Sequence, residues 1–144
     1  AGIVALAAEA AAALWDAERD VEMRDLAVRL DKRLLAAEAA SGAVLRRLGR
    51  LAEAAGDAPT AIDAWNRLAT ASEPLSAPWA EARFNAMRLL ADLDPEAART
   101  ALRQHAALYP SLGPTPWDER IRGLRLRLDR ASKPGGESSG GSGG

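Results

Sequence analysis

The chain has 144 residues, 48% hydrophobic and 27% charged, which is enough for one globular domain that needs no disulfide to hold its core. Cysteine is absent and His105 is the one histidine, so disulfides, thiol catalysis and thiolate metal sites are excluded, and a catalytic triad or multi-histidine zinc centre has almost nothing to build with. Lys+Arg 19 against Asp+Glu 20 gives a net charge of -1, so no global field draws the chain to nucleic acid or an anionic membrane, and partners must be recognised locally.

Only 4% of the residues are aromatic and alanine makes up roughly a quarter of them, which points to closely packed helices. Valine, isoleucine and threonine are sparse and scattered, without the alternation of strands, so the predicted fold is all-α. Ala1 to Leu14 has no basic stretch before it, is interrupted by Glu9 and falls short of the roughly 20 apolar residues of a membrane span. It reads as the start of a buried helix, from about Ile3 to Glu18, in a chain that begins inside a longer polypeptide or at a processed site. A second helix is predicted over Asp20 to Ala40, with Met23, Leu26, Leu30, Leu34 and Leu35 on one stripe; the two segments also read as one bent helix.

Ser41-Gly42 breaks the pattern, and Ala43 to Ala55 resumes it with Val44, Leu45, Leu48, Leu51 and Ala52 before Gly56. Asp57 caps the next helix, Pro59 lies in its first turn, and Ala61, Ile62, Trp65, Leu68 and Ala69 form its apolar face. After a loop over Ser72 to Pro78, a helix to Leu93 carries Trp79, Ala82, Phe84, Met87, Leu90 and Ala91. Asp94-Pro95-Glu96 then starts another that ends at Tyr109-Pro110. A last amphipathic helix runs from about Thr115 to Arg130, and Ser132 to Gly144, SKPGGESSGGSGG, has nothing to bury and reads as a flexible tail or linker.

Two of these helix pairs are similar to one another. VLRRLGRLAEAAGDAPTAIDAWNRLATASEP contains Leu48-Gly49, Gly56 at the turn, Ala61 and Trp65 on the second helix, and Pro74 after it. This resembles the tetratricopeptide repeat, in which a leucine and a small residue on the first helix precede a turn glycine, then an alanine and an aromatic residue on the second helix, then a closing proline. PWAEARFNAMRLLADLDPEAARTALRQHAALYP matches less completely: Ala86, Ala98, Leu102 and Pro110 take the small, alanine, aromatic and proline sites, Asn85 falls at a large apolar site, and Leu93-Asp94 replaces the glycine. Ala61 and Ala98 are 37 apart, against roughly 34 in the family, the excess lying in the Leu75 to Pro78 loop. The resemblance implies a short right-handed stack of antiparallel helix pairs, an α-solenoid with a C-terminal capping helix. The domain plan is then 1–42, an N-terminal helical segment or degenerate repeat; 43–110, two pairs; 111–131, the cap; and 132–144, the tail. An unrelated stack of α-hairpins is the competing architecture.

In such a stack the first helices line a groove. The family's groove positions carried onto this sequence are Arg46, Arg50 and Glu53 from the first pair and Arg83, Met87 and Leu90 from the second. Three guanidinium groups there converge on a carboxylate-rich peptide or chain terminus, and Met87 adds adaptable apolar contact. The same arginines also fit an ordinary solvated face paired with Glu53 and other carboxylates. Arg120, Arg122, Arg125, Arg127 and Arg130 form a basic cluster diluted by Asp118, Glu119 and Asp129, which fits a solvated capping face better than nucleic-acid binding. Trp15, Trp65 and Trp79 read as packing residues, and His105 as a structural residue at a polar or boundary position.

No phosphate loop, GxSxG or HExxH is present, so neither catalysis nor a cofactor is expected of this chain. The sequence therefore predicts a protein–protein interaction module, a scaffold or adaptor, that binds an acidic peptide or partner segment in a helical-repeat groove. The alternative is a structural module that self-assembles through its alanine-rich first helices, Ile3 to Leu35, into a homo-oligomer.

Overall fold

In the computed structural model, which describes residues 2–132, every regular element among the described residues is a helix. These are α1 (Gly2–Glu18), α2 (Val21–Ala36), α3 (Gly42–Ala54), α4 (Ala58–Ala71), α5 (Ala77–Leu93), α6 (Pro95–Leu108) and α7 (Trp117–Ser132). Most boundaries follow from capping chemistry written in the sequence. The side chains of Asp20, Ser41, Asp57, Ser76 and Asp94 accept hydrogen bonds from the backbone N–H three residues on and so start α2 to α6, each cap contributing about 1 kcal/mol. At the end of α3, Gly56 takes φ 78° while Asp57 N–H returns to Ala52 O and Gly56 N–H to Glu53 O, a Schellman closure that only glycine adopts without steric cost.

One sequence alternative is decided here and one expectation changes. The first two segments are two helices, as first read, and not one bent helix, because Arg19 lies at φ 55° and Asp20 restarts the chain. The second ends at Ala36 rather than Ala40. Glu38 sits at φ 56°, and Glu38 and Ala39 donate back to Leu35 O and Leu34 O, the same closure as at Gly56 but made by a residue with a Cβ.

Consecutive helices pack on one another, α1 on α2, α3 on α4, α4 on α5 and α5 on α6, while α7 lies across α5 and α6, an order consistent with a helical repeat. The larger apolar cluster runs from Ala11 and Ala27 through Leu48, Leu51 and Trp65 to Trp79 and Leu89. A second joins α5 to the last two helices through Met87, Ala91, Leu102, Ile121, Leu124 and Leu128. Where α2 meets α3, Asp31 is 0% exposed and receives both Nε and Nη2 of Arg47, at 2.9 and 2.6 Å. No helix of the described residues is long and apolar enough to cross a membrane. Ala1 and, apart from Ser132 at the end of α7, the segment read as a tail lie outside the described residues.

Candidate functional site

Between α3 and α5 lies a concavity of about 180 Å³ lined by Arg46, Arg50, Glu53, Trp65, Glu81 and Asn85. Its walls are tied together by side chains. Arg46 Nε donates to Glu81 Oε1 at 2.5 Å, and Arg88 grips Glu53 with Nη1 and Nη2 at 2.6 and 2.9 Å while Nη2 also reaches Asn85 Oδ1 at 3.0 Å. Arg50 turns the other way and is bidentate on Asp16 of α1, whose carboxyl that bond holds below its ordinary range.

The indole of Trp65 packs against α3 at Gly49. An atom in the Cβ position of Gly49 would stand 2.6 Å from Trp65 Cε2 and 2.7 Å from Nε1, so the absent side chain is what lets the ring lie against the helix. Trp65 is 4% exposed and its Nε1–H has no hydrogen-bond partner. Leaving such a donor buried and unpaired costs about 1–3 kcal/mol.

Of the groove residues expected from sequence, the structure brings Arg46, Arg50 and Glu53 together and removes the other three. Met87 is 2% exposed and Leu90 packs against the same cluster, so both belong to the interior between α5 and the last two helices. Arg83 points toward α6. The reason is register. Both α3–α5 ion pairs, Arg46 with Glu81 and Glu53 with Arg88, join residues 35 apart, whereas the second helices of the pairs are 37 apart. α5 has 17 residues and α3 has 13, so one offset cannot serve both helices. Two residues of slip turn a helix by about 200°, enough to carry the assignment to the opposite face. The residues that face Arg46, Arg50 and Glu53 are Glu81, Asn85 and Arg88, and the signal that finds them is opposite charge repeated at a single separation.

Arg83 meets His105, which is fully buried rather than at a boundary. His105 Nε2 lies 2.8 Å from Leu112 O and so carries the hydrogen, and its Nδ1 accepts from Arg83 Nε at 3.3 Å. This fixes the neutral tautomer. Burial pulls the imidazole below its ordinary pKa, with the Arg83 cation adding to the shift and the Leu112 bond opposing it. Trp79 stacks on the ring at 5.2 Å, and Tyr109 meets Trp79 edge-on at 4.6 Å. Leu112 itself sits at φ 68°, so His105 pins a left-handed residue of the loop that leads to α7.

Trp15 is half-buried with Arg19 and Arg24 over its ring at 5.0 and 5.2 Å. The α7 arginines are exposed, with Arg120 lying 4.6 Å over Trp117. Among the described residues no group of three or more His, Asp or Glu side chains is placed to hold a metal ion. Compared with protein-family models, curated proteins and solved structures, the chain finds no match.

Proposed function

We propose that this chain is a tetratricopeptide-like binding module, a short right-handed stack in which α3/α4 and α5/α6 are the repeated pairs and α7 the cap. It takes a segment of a partner protein along the groove between α3 and α5. The observation that carries this reading is the buried, unpaired Trp65 Nε1–H at a concavity ringed by charged and amide groups. A donor in that position is satisfied by a carbonyl or carboxylate oxygen from an incoming chain. The separation of 35 between the ion-paired first helices, close to the family's roughly 34, supports the repeat assignment.

The ring alternates in sign, and each of its arginines already holds a carboxylate. The suitable ligand is therefore a segment of mixed polarity whose backbone pairs with the groove, in place of the uniformly acidic peptide expected from three converging arginines. The competing reading, self-assembly through Ile3 to Leu35, draws on the exposure of Ile3 and Leu6 along α1.

The test is a random displayed-peptide library selected on the full 144-residue chain, with the winners titrated into isotope-labelled protein. They are expected to move the Trp65 indole resonance and the amides of 46–53 and 81–88. Arg46→Ala with Glu81→Ala should weaken them about tenfold or more, the range of a well-packed interface contact. Gly49→Ala, which places a methyl against the indole, should abolish them. Peptides that map to another surface, or a library that yields none, overturn the groove reading.

A further inference from the structure

Arginines that are at least partly buried here come with a carboxylate, with one exception. Arg24 has Asp25, Arg47 has Asp31, Arg88 has Glu53 and Arg99 has Glu96. The remaining arginines without an acidic partner, such as Arg29, Arg103 and Arg122, are exposed to water. Arg83 is half-buried, and none of the described carboxylates pairs with it; its protein bond is Nε to the neutral His105. Desolvation lowers its pKa from the ordinary guanidinium value, opposed only by the lesser effect of Tyr109, the direction expected of a buried cation with no carboxylate partner.

Arg83 lines a pocket of about 320 Å³ shared with Asn66, Ala69, Thr70, Trp79, Leu108 and Tyr109. That volume is within the roughly 300–1,000 Å³ typical of small-molecule sites. The lining contains no acidic residue, so Arg83 is its one charge. With Nε committed to His105, Nη1 and Nη2 remain as a fork whose two N–H groups match a carboxylate edge. The Asn66 amide and the Tyr109 hydroxyl add polar groups, while Ala69, Trp79 and Leu108 supply apolar wall.

From these observations we infer that the pocket between α4, α5 and the end of α6 is a binding site for a small organic carboxylate, its anionic end on Arg83 and its apolar body against Trp79 and Leu108. The site is separate from the α3–α5 groove and shares no lining residue with it. His105 acts as a positioning residue: as an acceptor at Nδ1 it orients the guanidinium without neutralising it, and as a neutral ring it leaves the positive charge for the ligand.

The experiment titrates the full chain with phenylacetate, with its neutral isostere phenylacetamide and with phenyl phosphate, and reads the Arg83 Nε–H and Trp79 indole resonances. Phenylacetate should saturate both and phenylacetamide should move neither. Arg83→Gln should abolish the response. Because that change also removes a partner of His105, Asn66→Asp serves as a second variant. Asn66 is exposed, and a carboxylate there competes within the chain for the same fork, so phenylacetate should bind at least tenfold more weakly while the fold is kept. Equal binding of acid and amide overturns the proposal, as does undiminished binding to either folded variant. Saturation by phenyl phosphate without phenylacetate overturns the carboxylate assignment, and shifts confined to 46–53, Glu81, Asn85 and Arg88, with the Arg83 Nε–H and Trp79 indole unmoved, assign the anion to the groove instead.

Discussion

Trp65 and His105 are both buried rings with polar nitrogens, and they differ in how those nitrogens are satisfied. His105 has Leu112 O at one nitrogen and Arg83 Nε at the other, whereas Trp65 Nε1 has nothing. The first arrangement is structural and has a pH signature. With the folded imidazole depressed below the ordinary value of about 6.5, the unfolded chain takes up a proton first as the solution is acidified. Stability attributable to His105 is thus fully present above about pH 6.5 and declines as pH falls toward the folded pKa, with a slope no steeper than one proton, about 1.4 kcal/mol per pH unit. Arg83 and Tyr109 are the titratable groups against the ring. Urea denaturation at pH 7.5 and 5.5 should show the loss, and His105→Gln, which can still donate to Leu112 O, should flatten it. Asp16 and Asp57, whose carboxyls are held low by Arg50 and by Thr60, lose their contribution only in more acid solution, so the two windows are separable. A wild-type stability that does not change between the two pH values contradicts the assignment.

Helices in this chain are legible from their ends and much less so from their faces. Asp57, Asp94-Pro95 and Gly56 mark boundaries because capping is local chemistry between a side chain and the next turn. Gly49 and Trp65 are legible one by one, as a small site and a packing aromatic, but their contact with each other is not. The partners of α5 were not, since its extra turn shifts the register in a way that only packing against α3 and α7 decides. His105 was misplaced because the acceptor that buries it is the backbone of Leu112, which has no sequence signature; the fourfold spacings Trp79–Arg83 and His105–Tyr109 are the trace it leaves. Between α2 and α3 the joint depends on the Asp31–Arg47 pair, again invisible to periodicity because an aspartate lies on a buried face. Arg47→Met should destabilise the chain by about 3–5 kcal/mol, since it strands a fully buried carboxylate, whereas Asp31→Leu with Arg47→Met should recover most of the loss. Urea unfolding of the single and double variants checks this; a single variant within 1 kcal/mol of wild type, on the order of a surface pair, means that Asp31 is rehydrated when Arg47 is gone.

At the scale of the whole molecule, the choice between binding module and self-assembling module depends on how much apolar surface the N-terminal helices offer. α1 buries Ala8, Ala11 and Ala12 toward the interior and leaves Ile3 85%, Leu6 69% and Leu14 41% exposed. A helix of 17 residues is about 25 Å long and about 10 Å wide, so its outward face amounts to a few hundred Å². That is within the largest apolar patch of an ordinary monomer, about 300–600 Å², and well short of the roughly 800 Å² per partner of a standard stable interface. Alanine at positions 7, 10, 13 and 17 of that face adds little area per residue. Leu93, Leu108 and Leu126 are exposed on separate helices and do not extend it. The full chain is therefore expected to have the mass of a monomer by light scattering at micromolar concentration in both low and high salt. Apolar association is not screened by salt, so a dimer that persists at high salt would be the α1 face at work. Leu6→Glu with Leu14→Glu should then return it to monomer, and the self-assembly reading would displace the groove.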